Sequence, residues 1–240
     1  MKWTGEYRVN ANDVDVNELV SVSHVLSYMQ DAAFSAMEED GPSYQGLYES
    51  GYSFILSRIR MSLYAPLHIH DTIAVQSWAC ESRGVQFNRC YRILRDGVIM
   101  AEAASVWALM GIEDRRPHRV SEFDLNYRTD DMLELDLPPR FRIPEDVAMH
   151  LVGERAVEYA DIDRNGHMTN TRYPDLLCSY LDGGMKGQRV ISMGISFLGE
   201  APLGRSIKFY SGQSDGVSYV RTVLEDGSPN AEAEILTEPV

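Results

Sequence analysis

The chain has 240 residues, 44% apolar and 24% charged, an ordinary globular mixture that can bury a core in one large domain or two of common size. Its formal net charge of −14 argues against nucleic acid as a partner, because that binding needs a basic surface. No stretch reaches the roughly 18–20 uninterrupted apolar residues of a membrane span, and Met1–Glu6 lacks a charged-then-apolar signal pattern. The expectation is a cytoplasmic protein with no membrane attachment.

Val22, Val25, Leu26, Met29, Ala33 and Met37 recur at helical spacing, which predicts an amphipathic helix of about 17 residues from Ser21. Ser21 or Ser23 can cap its start, and Gly41-Pro42 stops it. Strand-like segments follow at Phe54–Tyr64 and Thr72–Glu81, and Val85, Phe87, Arg89, Tyr91 and Ile93 fall at strict alternation. Asp96-Gly97 is a hairpin signal, after which Met100–Ile112 returns as the next strand. Tyr127–Phe141, acidic and carrying Pro138-Pro139, is the natural linker between a first unit, 1–126, and a second, 142–240. The second unit is expected to hold a helix near Asn170–Leu181 ending at Gly183-Gly184, and strands at Arg189–Leu198 and Arg205–Gly212. Alternation at Val217, Tyr219, Arg221 and Val223, a turn at Asp226-Gly227 and a last strand over Ala231–Thr237 complete it. Pro174 suits only a first turn, so that helix either begins near Tyr173 or starts distorted.

The two units repeat one another. Asp13-Val14-Asp15-Val16-Asn17 and Asp161-Ile162-Asp163-Arg164-Asn165 share D-[VI]-D-x-N at an offset of 148. Ala65-Pro66-Leu67 matches Ala201-Pro202-Leu203 at 136, and Leu94-x-Asp96-Gly97-x-x-x-Ala101-Glu102-Ala103 matches Leu224-x-Asp226-Gly227-x-x-x-Ala231-Glu232-Ala233 at 130. Three matches in one order with a shrinking offset read as a duplication. A long helix followed by an antiparallel sheet, in each copy, predicts an α+β fold of two tandem hotdog units.

The copies differ at one telling place. Where the first reads Asp15-Val16-Asn17-Glu18-Leu19, the second reads Asp163-Arg164-Asn165-Gly166-His167. Both segments lead into the helix, whose N-terminus offers unpaired N–H groups and partial positive charge to a developing oxyanion. Asn165 can donate to that oxygen or orient a water, His167 can move a proton near neutral pH, and Asp163 can hold one of them in place.

Asp163-Arg164-Asn165-Gly166-His167-Met168-Thr169-Asn170-Thr171-Arg172-Tyr173 resembles the D-x-N-x-H-x-x-N-x-x-Y signature of fatty acyl–acyl carrier protein thioesterases. Ser105–Met110 followed by Asp114-Arg115-Arg116 resembles that family's strand and basic turn closing the first hotdog. The resemblance implies hydrolysis of a fatty acyl thioester, acyl carrier protein as partner, no metal or cofactor, and catalytic roles for Asp163, Asn165 and His167. It also implies a catalytic Glu at Glu200, immediately before a residue that is Cys in plant members and is Ala201 here. Without that thiol a Cys–His mechanism falls away, and Glu200 as general base for water is left, suited by an apolar acyl cleft. On the Ala-Pro-Leu alignment the first copy carries Tyr64 at this position.

Structural readings stand beside these. Asp and Asn in such loops often only cap a helix or close an Asx turn, the preferred reading for Asp13, Asp15 and Asn17. His167 can be a surface histidine, and Glu200 a solvated carboxylate at a Gly199–Pro202 bend. Met29, Phe34 and Met37 are core or acyl-tunnel residues, and Arg115, Arg116 and Arg119 a solvated turn or a carrier contact. His68 and His70 lack a third metal ligand and are read as surface residues, and the odd set Cys80, Cys90 and Cys178 as free thiols in a reducing compartment. Alternative functions are an acyl-CoA thioesterase, an enoyl-thioester hydratase of the D-x-N-P-x-H type, and a non-catalytic acyl-binding protein. Gly166 in place of that Pro, and the closer Asn–His spacing, favour the thioesterase. Monomer and homodimer are both compatible with a tandem hotdog.

Overall fold

The computed structural model describes residues 2–123, 127–135 and 141–240. The first half opens with β1 (Trp3–Arg8), and a loop then leads into α1 (Val22–Asp40). The Ser21 side chain accepts the His24 N–H, and Gly41 follows the last turn. The whole apolar stripe expected from the sequence is buried in α1. A short helix not foreseen, α2 (Tyr44–Glu49), precedes β2 (Tyr52–Leu63), β3 (Thr72–Ala79), β4 (Phe87–Arg95), β5 (Val98–Gly111) and the two-residue β6 (Pro117–His118). Asp96 and Gly97 both take left-handed φ values, 53° and 79°, as the tight β4–β5 hairpin requires.

Part of the linker is a strap over the outer face of the first half. Thr129 bridges to Ala79, the Trp78 indole donates to Asp131 O at 2.8 Å, and Leu133 N–H donates to Cys90 Sγ at 3.4 Å. Pro138-Pro139 lies outside the described residues. The three cysteines are free and buried.

The second half contains β7 (His150–Ala156), α3 (Tyr173–Cys178), β8 (Gln188–Phe197), β9 (Ser206–Ser214), β10 (Val217–Leu224) and β11 (Pro229–Pro239). Here the expectation of a long helix over Asn170–Leu181 is corrected. Asn170–Arg172 form a single 3-10 turn, and α3 has only six residues. Pro174 enters within its first turn, and turns through Gly183 and Gly184, both at positive φ, carry the chain to β8.

All strands join one antiparallel sheet in the order β1-β3-β4-β5-β2-β8-β11-β10-β9-β7, with β6 on β5. The second half is therefore the first read backwards, and β2 meets β8 at the junction. One hydrophobic core draws on both halves, and α1 lies against β1, β3 and β4. The helices also meet: Ser23 N–H donates to Asp175 Oδ1 while Asp175 N–H donates to Ser23 Oγ, each at 3.0 Å. This is the tandem hotdog architecture.

Strand register corrects one detail of the repeat. Leu63 faces Ala101 and Phe197 faces Ala231, so Leu63 and Phe197 are equivalent and the local offset is 134. Backbone bonds agree: Tyr64 N–H reaches Met100 O and Leu198 N–H reaches Asn230 O, both at 2.8 Å. The Ala-Pro-Leu match was thus out of register by two residues. The first-copy counterpart of Glu200 is Pro66, not Tyr64, whose hydroxyl instead donates to Glu102 at 3.0 Å.

Candidate active site

The segment Asp163–His167 folds as a tight loop closed by its own polar groups. Asp163 N–H donates to His167 O and Gly166 N–H to Asp163 O, both at 3.0 Å. Gly166 sits at φ +79°, where a side chain would strain the turn. Asp163 Oδ1 accepts the Asn165 N–H at 2.8 Å, and Oδ2 takes the Asn165 side-chain amide at 3.4 Å. Asp163 therefore orients Asn165.

This loop is brought beside the chain leaving β8. Met168 N–H donates to Ala201 O at 2.9 Å, and His167 bridges to Pro202. His167 Nε2 then lies 3.1 Å from Glu200 Oε2. The bend that presents Glu200 needs a glycine, since a Cβ on Gly199 would fall 2.6 Å from Pro229 O. It is held from beneath by the buried Asn230 amide, which donates to Gly199 O at 2.8 Å and to the Tyr173 hydroxyl at 2.9 Å. Burial pushes the Tyr173 phenol up to about 12, so it remains a neutral partner. Sequence reasoning missed Asn230, because nothing in its neighbourhood distinguishes a supporting amide from any strand residue.

The first half supplies the other wall. The Arg164 guanidinium lies 4.0 Å over the Tyr48 ring of α2 and donates to Gln45 at 3.1 Å. Ser53–Ser57 of β2, with Ala108 and Met110 of β5, complete a cleft of about 430 Å³ that contains Asp163, Asn165, His167 and Glu200. The buried Ser53 hydroxyl on this wall has no hydrogen-bond partner among the described residues. Arg115 reaches across and donates to Glu200. It is exposed yet engaged with that carboxylate, so it is neither a plain solvated turn nor a free carrier contact; Arg116, next to it, and Arg119, beyond β6, are also exposed.

Two further expectations change. Glu200 is not enclosed by apolar surface: its side chain is 37% exposed, with His167 and Arg115 both on Oε2. The helix N-terminus is also not available for an oxyanion. Arg172 and Tyr173 spend their N–H groups on Thr169 and Asn170, Pro174 has none, and Asp175 N–H is taken by Ser23. The Asn165 amide and the His167 ring are side-chain donors on the loop beside Glu200.

The equivalent position in the first copy is a cavity of about 260 Å³ lined by Asp15, Leu19 and Pro66. Leu19 and Pro66 replace the His and the Glu. Asn17 is fully engaged, its amide donating to Met185 O and Gln188 O at 2.9 Å and its oxygen accepting Gly187 N–H at 2.8 Å. Asp15 caps the Asn17 and Leu19 N–H groups, an ordinary turn-closing role. Cys178 lines this cavity, and none of the three cysteines lines the cleft around Glu200.

Fold and cleft together define a hotdog-type acyl-thioester enzyme. Residues 1–125 match the model of the acyl-ACP thioesterase N-terminal domain, and the chain belongs to that family. It is a thioester hydrolase. No curated protein sequence matches it. Among solved structures it resembles an acyl-ACP thioesterase from Bacteroides thetaiotaomicron with TM-score 0.88 and 20% identity, over 99% of this chain and 98% of that one. A protein described as an oleoyl thioesterase from Lactobacillus plantarum gives 0.83 at 15% identity, over 100% and 97%. The 12:0-ACP thioesterase from Umbellularia californica gives 0.80 at 16%, over 100% and 98%. At these identities the likeness is one of fold.

Proposed function

We propose that this protein hydrolyses fatty acyl thioesters carried by acyl carrier protein, releasing the free fatty acid, with Glu200 as the general base. The observation that carries the reading is the His167–Glu200 contact of 3.1 Å at the mouth of a cleft shared by both halves. Glu200 takes a proton from a water whose oxygen attacks the thioester carbonyl. The Asn165 amide, fixed by Asp163, donates to the carbonyl oxygen as it becomes an oxyanion, and His167 holds the carboxylate and the water in line. Collapse breaks the C–S bond, and the proton on Glu200 passes to the leaving sulfur. Ala201 offers no thiol, so no acyl-enzyme forms there.

The acyl chain is assigned to the first half, between α1 and its sheet. Phe54 lines both the cleft and a smaller apolar cavity beyond it, walled by Ala33, Phe34, Met37, Phe87 and Trp107. The chain's net charge of −14 opposes an acidic carrier. The exposed Arg116 and Arg119 near the mouth give such a partner a local basic edge.

The test is a thiol-release assay on acyl-carrier-protein and acyl-CoA thioesters of several lengths. The parent is expected to release thiol, with the carrier-bound substrates preferred. Glu200→Gln is expected to lose on the order of 10²–10⁴-fold in rate. An equally active Glu200→Gln, or hydration of crotonyl-CoA without thiol release, would overturn the reading.

A further inference from the structure

We propose that Arg115 is a positioning residue for the catalytic carboxylate, delivered by the non-catalytic half to the catalytic one; this rests on Glu200 acting as base. The two residues stand 85 positions apart, and the guanidinium donates to Oε2, the oxygen that also faces His167 Nε2. With the guanidinium and the imidazole both on Oε2, neither of them occupies Oε1, which is left to face the attacking water. Asp163 and Arg164 are the other charged groups lining the cleft, and neither substitutes for Arg115. Asp163 is spent on Asn165, and Arg164 is held on Gln45 and Tyr48.

The turn that carries Arg115 is built to aim it. Arg115 adopts φ +55°, a conformation that non-glycine residues seldom take and that surrounding structure must enforce. Its N–H donates to Gly111 O at 3.1 Å, and Gly111 N–H donates to Arg116 O at 3.0 Å. Asp114 accepts the Arg116 N–H at 3.0 Å and lies 3.2 Å from His118 Nε2, while His118 Nδ1 lies 2.9 Å from Glu122. A Cβ on Gly111 would sit 2.2 Å from Asp114 Oδ1, so a side chain there would displace the Asp114 carboxylate from this turn. A merely solvated arginine needs none of this framework. A guanidinium reserved for a substrate phosphate would not be spent on an internal carboxylate either.

The experiment is a double-mutant cycle of Arg115→Met and Glu200→Gln, with Arg115→Lys as the conservative variant, read in kcat and KM separately. Arg115→Met is expected to lower kcat about tenfold with KM within about twofold, since misplacing a reacting group costs turnover rather than binding. Arg115→Lys should recover most of that loss. In the Glu200→Gln background, Arg115→Met should change nothing further, because its target is gone. A rise in KM at unchanged kcat would overturn the proposal in favour of substrate docking. Additive losses in the double variant would overturn it in favour of a general structural role. If Glu200→Gln alone were fully active, the base assignment itself would fail, an outcome distinct from both. Unchanged urea midpoints for the Arg115 variants would show that folding is not the cause.

Discussion

Arg60 and Gly194 pair directly across the β2–β8 junction, and they are equivalent positions in the two copies. The approximate two-fold of the duplication therefore passes between them. The asymmetry of the pair is one of packing. Arg60, only 8% exposed, lies over the missing side chain of Gly194 and is paired with Glu234. A Cβ at position 194 would come 2.9 Å from Arg60 Cζ. Gly194→Ala is expected to displace the guanidinium from Glu234 and destabilise the fold by about 1–3 kcal/mol, as overpacking does. Urea denaturation reads this directly, and a loss under about 0.5 kcal/mol would mean that Arg60 simply swings aside.

The same D-x-N pattern is bonded differently in the two copies, and paired substitutions should separate the proposed roles. Asn17→Ala removes three hydrogen bonds to the loop Met185–Gln188. It is expected to lower stability by about 1–3 kcal/mol while leaving kcat within about twofold. Asn165→Ala loses one weak contact to Asp163 at 3.4 Å, so stability should hold. Its kcat should fall about 10²-fold, the usual cost of an oxyanion donor. If both variants fell equally in kcat, the first copy would be taking part in the chemistry.

How much of this was legible beforehand follows from which forces are local. The α1 stripe repeats over 19 residues, so its period could be read directly. The Asp-Gly hairpins and the Asp163–His167 loop are closed by neighbours in sequence and were equally plain. The second helix was overread because Leu176, Leu177 and Leu181 keep helical spacing although Pro174 and the 3-10 turn before it limit the helix. The two-residue slip at Ala-Pro-Leu arose because a three-residue match is weaker than strand register, which only pairing fixes. Arg115 on Glu200 and Asn17 on Met185–Gln188 are contacts between halves, and a duplication inside one chain does not announce which face of one copy meets the other.

Acid should weaken the fold through the β10–β11 turn. Asp226 Oδ1 accepts the Ser228 N–H at 2.9 Å and Oδ2 the Arg205 guanidinium at 2.7 Å. Hydrogen bonds from Ser228 and then Arg205 bring the carboxyl down from its ordinary 3.8 to about 2. A group whose folded-state pKa lies below its unfolded one contributes stability above the unfolded value and loses it as pH falls through the folded one. The contribution is therefore full above about pH 4 and disappears towards about pH 2. Asp226→Asn should be less stable than the parent at pH 7, with a shallower decline across that window. Urea midpoints at pH 7, 4 and 2.5 measure it, and parallel curves for the two proteins would reject the assignment.

Chain-length preference should respond to Phe54, the residue shared by the cleft and the apolar cavity beyond it. Its ring meets Phe87 edge-on at 5.1 Å, so the passage between α1 and the sheet narrows at this pair. The cavity beyond is about 50 Å³, room for the tip of an acyl chain whose remainder would lie in the 430 Å³ cleft. Phe54→Ala joins the two spaces and is expected to raise kcat/KM for longer acyl chains relative to shorter ones, with some loss of stability from the removed ring. Phe54→Trp should act in the opposite sense by filling the passage. Thiol release from carrier thioesters of graded length gives the profile, and Glu200, on the opposite wall, is left unaltered in both variants. A profile unmoved by either substitution would place the acyl chain elsewhere, and the cavity around Leu19 and Pro66 would be the next wall to alter.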